Sequence, residues 1–318
     1  MRIFTIASNT FTEVIRSPIY LIIFGCSLAL ILLSPYFTMF TLLENNQMVK
    51  DMGLSTILLT GLLLAAFSAS SVIYQEVENK TLLTVISKPV SRSSFIIGKY
   101  LGLLLGLLVV EYLLTIVLVQ VTRTDLTEAA YSKSDHPVWL GYIGALLFSM
   151  GMAAFANFFY EKPFTSAAIH CAIPSFTLIF LALCLIDNTW KLQPFAKPLH
   201  LQLFVASFLI FLATAVLCAI ATAASTRLSP VPNLCLCGGV FLLGLFSDYL
   251  FGRNASHSLI AKLCYKVVPN LQIYWVGDAI SGRRDIPLPY LDYILVYTLL
   301  IVTALLCLAI ALFQEREA

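Results

Sequence analysis

The sequence predicts an all-α fold: a polytopic transmembrane helical bundle of about eight spans. Three observations carry this reading. Apolar residues make up 59% of the 318-residue chain and Asp, Glu, Lys and Arg only 11%, against about a quarter charged in a soluble domain. Apolar stretches recur at the length of roughly 20 residues that bridges the hydrocarbon core of a bilayer. The charged residues collect between those stretches, most densely in 75–100. A net charge of +2 gives no electrostatic footprint for nucleic acid.

Residues 1–17 come before the first span and read as an amphipathic helix. Phe4, Ala7, Phe11, Val14 and Ile15 share one face, and Ser8, Asn9, Thr12, Glu13 and Arg16 the other. That is the pattern of a helix lying in the plane of a membrane surface. The apolar run that follows starts at Pro18 and has no small-x-small cleavage site after it, so no cleaved signal peptide is expected.

The spans are read at 18–40, 53–74, 100–121, 138–160, 165–186, 201–225, 233–251 and 290–313. The fourth and fifth are separated only by Glu161-Lys162-Pro163-Phe164, so 138–186 forms a tight helical hairpin. The long connection 252–289 carries Leu259, Leu263, Val267 and Leu271 at four-residue spacing, with Lys262 and Lys266 between them, and reads as an amphipathic helix on the outer surface.

Between the second and third spans lies Gln75–Tyr100, with Glu76, Glu78, Lys80, Lys88, Arg92 and Lys99. Leu82, Val85 and Ile86 fall on one helical face. Pro89 ends that helix and keeps Lys88 out of the α region. Ser91 or Ser93 can then cap a new helix that runs into the third span.

Inside the third span, Gly98, Gly102 and Gly106 recur every fourth residue and so line one face, where a neighbouring backbone can approach closely. Glu111 falls near its middle. A carboxyl at that depth costs about 2.5–3.5 kcal/mol unless it faces protein or water. It is an intramembrane candidate for the substrate pathway or for coupling; a structural hydrogen bond, an ion pair or a protonated carboxyl are the alternatives. Asp248 lies near an outer end and is expected at the interface.

The eight cysteines lie mostly inside apolar runs, where they behave as small hydrophobes. His170-Cys171 and Cys235-x-Cys237 have no convergent His or Met cluster beside them, so no metal site is assigned. No catalytic residue is assigned either. The chain has no G-x-x-x-x-G-K-[ST] phosphate loop, no loop large enough for a soluble catalytic domain and no placeable Ser-His-Asp or His-Glu-x-x-His set.

The run ENKTLL, then SKPVSR, then GKYLG resembles the cytoplasmic coupling region of ABC type-2 exporter permeases. The resemblance implies that Glu76, Glu78, Lys80, Thr81, Leu82, Leu83, Lys88, Pro89 and Arg92, within a coupling region 75–99, dock on a separate ATPase subunit. ATP would be held by that subunit, with no cofactor on this chain. It makes 1–17 similar to the family's elbow helix and the whole of 1–318 a single permease domain. Residues 223–229 resemble the close of the family's fourth span; 268–272 with Asp278, and 297–316, resemble its last exterior loop and last span. The hairpin 138–186 is then an insertion, and a pair of added spans preserves topology.

The same resemblance implies a second copy or a paralogous permease as partner, contact with membrane lipids, and residence in a bacterial inner membrane with both termini cytoplasmic. The near-even split of Lys and Arg between the two sides does not set orientation. Permeases of nitrous oxide reductase maturation have a similar layout. Two other functions are compatible with the residues: an intramembrane enzyme using Glu111, His170 or Asp248, or a non-transporting membrane scaffold.

Overall fold

The computed structural model describes residues 2–37, 45–74, 76, 91–123, 136–187, 190–194, 201–253, 262, 265, 268–277 and 286–316. Nine α-helices are seen among them: α1 Arg2–Arg16, α2 Pro18–Phe37, α3 Asn45–Ala69, α4 Arg92–Val121, α5 His136–Tyr160, α6 Phe164–Leu185, α7 Leu201–Ser225, α8 Pro230–Leu245 and α9 Leu288–Arg316. A π turn, Ser70–Tyr74, continues α3. The chain is an all-α polytopic bundle, and among the described residues seven helices (α2–α7 and α9) are long and apolar enough to cross a membrane.

The eighth expected span differs. Helix α8 has 16 residues, a rise of about 24 Å against a hydrocarbon core of about 30 Å. It stops because the Gly244 carbonyl is taken by the Leu271 N–H at 3.1 Å instead of by its own helix. A methyl at Gly244 would come within 2.8 Å of the Pro269 carbonyl, so only glycine admits this approach. A short π turn, Asp248–Gly252, follows.

Contacts along the helices fix their directions. Gly53 of α3 meets Leu118 of α4, and Glu76, beyond the end of α3, meets Lys99 near the start of α4, so the two are antiparallel. Tyr112 and Gln120 of α4 bond to Thr177 and Phe180 of α6, so these two are parallel. Asn233 at the start of α8 bonds to Ala66 near the end of α3. Both the start of α1 and the end of α9 therefore lie at the end of the bundle that holds Lys99. This alternation of direction makes the hairpin α5–α6 neutral to topology.

Helices α3, α4 and α7 form the centre, each about two-thirds buried or more. Helix α2 packs on α3 and α4, α6 on α4, α8 on α3 and α7, and α9 on α7 and α4. Helix α5 leans chiefly on α6. The helix α5 ends in a turn in which Lys162 N–H bonds back to the Ala156 carbonyl at 3.3 Å while Glu161 sits at φ 53°. The bond spans one residue more than the six-to-one stop, and the left-handed position is one that usually takes glycine.

The segment 268–277 does not lie on the outer surface as a helix. Leu271 and Tyr274 are buried, and 272–274 is a single 3₁₀ turn. Tyr274 Oη lies 2.7 Å from Thr298 Oγ1, ten residues into α9. The expected surface helix does not extend into 268–277, where the aromatic residues after Pro269 find buried partners; Lys262 and Tyr265, the described residues of 259–267, are helical and exposed. Most of 252–289 lies outside the described residues.

Candidate functional site

Helix α1 is where the Gly98–Gly106 face finds its neighbour. A methyl at Gly98 would come within 2.8 Å of Ile6 Cβ, one at Gly102 within 2.5 Å of the Ala7 carbonyl, and one at Gly106 within 2.9 Å of Val14. The backbone of α1 thus rides directly on the first turns of α4. Ala7, Thr10, Val14 and Ile15 are buried in this contact, while Phe4 is 77% exposed and points away from it. Tyr20 donates to the Gly106 carbonyl at 2.6 Å. Thr165 of α6 donates to the Arg16 carbonyl at 2.7 Å and so satisfies an orphan acceptor at the end of α1.

Lys99 is the hub of this end of the molecule. Its side chain is 5% exposed, and its Nζ lies 2.7 Å from Glu76 Oε1 and 3.5 Å from Glu13 Oε2. It also sits 5.6 Å above the Phe95 ring. Two carboxylates on two elements therefore share one buried ammonium. Burial pushes the Glu13 carboxyl above its ordinary range and the neighbouring Glu76 adds to this, although Lys99 pulls the other way.

Ser91 caps α4, with its Oγ accepting from Ser94 N–H at 3.3 Å. Arg92 donates to the Gln314 carbonyl at 3.4 Å and Arg227 to the Leu312 carbonyl at 3.0 Å. These two guanidiniums meet the carbonyl end of α9, where cations are favoured by the helix dipole. Phe95 and Phe313 stack at 5.6 Å beside them. The two ends of the segment 77–90 are thus clamped to α1 by Lys99 and to α9 by Arg92.

Of the residues singled out in the sequence, Glu76 and Arg92 take part in this assembly. Glu78, Lys80, Thr81, Leu82, Leu83, Lys88 and Pro89 lie outside the described residues. Sequence reasoning did not find Glu13 and Arg227 as members. The available signal was Lys99 itself, a lysine between Gly98 and Gly102 on a face that must be covered.

Glu111 is 4% exposed between α4, α3 and α7. Its Oε1 is 2.6 Å from Thr214 Oγ1 of α7, and a methyl at Gly61 of α3 would come 2.9 Å from that oxygen. Its Oε2 is buried without a hydrogen-bond partner. His170 is exposed on α6 and bonds to the Ser166 carbonyl at 2.7 Å, so the two residues do not share a site. Asp248 Oδ1 accepts from Tyr265 at 3.2 Å. Cys235 is exposed while Cys237 is buried beside Asn233, so they face apart.

Residues 11–131 match the family model for ABC-2 family transporter protein. That stretch runs from within α1 through α2, α3 and α4, a little over a third of the chain, and includes 77–90. The hairpin α5–α6 and everything after it lie beyond the match. No curated protein matches the chain.

Proposed function

We propose that this chain is the membrane-spanning permease subunit of an ATP-binding-cassette exporter, coupled through 75–99 to a separate ATPase subunit. The observation that carries this is the coincidence of the family match at 11–131 with the clamped ends of 77–90. A segment whose flanks are tied to α1, α3, α4 and α9 passes any displacement directly to the central helices. Two copies, or one copy with a paralogue, would pair with two ATPases, which hold the ATP. The end of the bundle carrying Lys99 and both chain ends would then be cytoplasmic, in a bacterial inner membrane.

The residues in named roles are Glu76, Glu78, Lys80, Thr81, Leu82, Leu83, Lys88, Pro89 and Arg92 at the ATPase dock, and Gly98, Gly102 and Gly106 as the seat of α1. The cargo is lipid-like, a peptide or drug-like, or the chain supports a maturation system of the nitrous oxide reductase kind. The pairing of Glu111 with His170 that an intramembrane enzyme would need gains no support from their placement.

Purification of the native complex from membranes tests the reading: an ATPase of the ATP-binding-cassette type should co-purify. Glu78→Lys and Leu82→Asp should each lose that ATPase while membrane insertion stays intact. Full ATPase recovery with both variants would overturn the dock.

A further inference from the structure

We propose that Glu111 is an intramembrane proton-binding site: it is held as a neutral carboxylic acid and donates that proton to Thr214, pinning α4 to α7 at mid-depth. The argument is a count of hydrogens. Thr214 Oγ1 lies 2.6 Å from Glu111 Oε1 and 2.9 Å from the Phe211 carbonyl. A threonine hydroxyl carries one hydrogen and accepts through its lone pairs. With an ionised Glu111 that single hydrogen can serve only one of the two acceptors. With a proton on Oε1, the acid donates to Thr214 and Thr214 donates to Phe211, so both contacts are hydrogen bonds.

The surroundings favour the same form. Glu111 has no ion pair among the described residues. The groups facing it are Gly61 from α3, and Thr214 and Cys218 from α7; none is a cation. A bare carboxylate buried without a counter-charge costs several kcal/mol. The unpartnered Oε2 is then the carbonyl oxygen of an acid, a far smaller penalty than half of a buried anion.

The proton ties this bond to the hydration of the core. Any arrangement that parts α3, α4 and α7 at this depth admits water to Glu111, and a wetted carboxyl ionises at neutral pH. Opening of the bundle and release of one proton are therefore linked.

Infrared spectroscopy of the purified chain in lipid vesicles, in mildly alkaline buffer, reads this directly. Wild type should show the carbonyl band of a protonated carboxylic acid. That band should vanish in Glu111→Gln, and in Thr214→Val it should shift to higher frequency as the acid loses its acceptor. Thr214→Ser should leave it in place. The Thr214 variants keep the carboxyl and so report even if Glu111→Gln assembles poorly. Absence of the band from wild type would overturn the proposal. A band lost in Glu111→Gln but unmoved in Thr214→Val would overturn the bond to Thr214.

Discussion

At Glu161 a single side chain stands where the backbone asks for none. Its φ of 53° is in the left-handed region, where a Cβ crowds the following carbonyl. Glu161→Gly should therefore stabilise the hairpin by about 1 kcal/mol, less the extra chain entropy of glycine. Thermal unfolding in detergent should show a small upward shift, and Glu161→Val a downward one. Gly102 is the opposite case. A methyl there already meets the Ala7 carbonyl at 2.5 Å, so Gly102→Leu should force α1 off α4 and cost on the order of 1–3 kcal/mol. Protease sensitivity of the first 16 residues would report the release; unchanged protection would refute the seating of α1.

Among the elements, α1, α3 and α4 meet at Lys99. The shorter contact should carry more of the energy, so Glu76→Gln should destabilise more than Glu13→Gln, by a ratio that a double-mutant cycle with Lys99→Met reads. Lys99→Met removes the shared cation, leaves Glu13 and Glu76 facing each other without its charge between them, and should cost more than the loss of either carboxylate. The pH dependence follows from Glu13. Its carboxyl is raised from the ordinary 4.5, first by burial, so the folded state binds its proton more tightly than the unfolded chain does. Its contribution to stability therefore falls as pH rises from the ordinary value through the raised one, and stays low above it. Glu13→Gln should flatten that part of the stability profile. A profile unchanged by Glu13→Gln would assign the titration to another group.

The same junction shows what sequence could and could not tell. The helices were legible because spans are long apolar runs, and the expected bounds of α5, α6 and α7 fall within two residues of those observed. Helix α4 begins at Arg92 behind the Ser91 cap that the sequence offered, eight residues before the apolar span read at 100, because Arg92 and Lys99 are charged and hydropathy ends a span at charge. The structure neutralises both, Arg92 on a helix carbonyl and Lys99 on two carboxylates, so the helix continues through them. Phe4 was placed on the apolar face of α1 by periodicity alone. That face is instead set by which residues fit the glycine groove, and the small Thr10 is taken in where Phe4 is not. Glu111 was legible as an anomaly, but its partner on α7 is 103 residues away and left no local trace.

For the molecule as a whole, alternating helix directions place 76, 161 and 227 at one end and 123, 187 and 274 at the other. Single-cysteine labelling in sealed vesicles should find positions 88 and 161 on one side of the membrane and 133, 191 and 266 on the opposite side. Labelling of 161 and 191 from the same side would remove the hairpin α5–α6 from the membrane and the topology with it.

The docking of 268–277 bears on how the chain is made. Its backbone N–H at Asn270 is satisfied by Tyr297, the carbonyl of Ile273 by Tyr290, and the hydroxyl of Tyr274 by Thr298. All three partners belong to α9, which follows in the chain. A nascent polypeptide that has delivered α8 but not yet α9 can make the Leu271–Gly244 bond, but these three groups of the segment must wait in water. The end of the bundle opposite Lys99 therefore completes its hydrogen bonds only after the last helix has been inserted, as a settling step subsequent to membrane integration and separate from it.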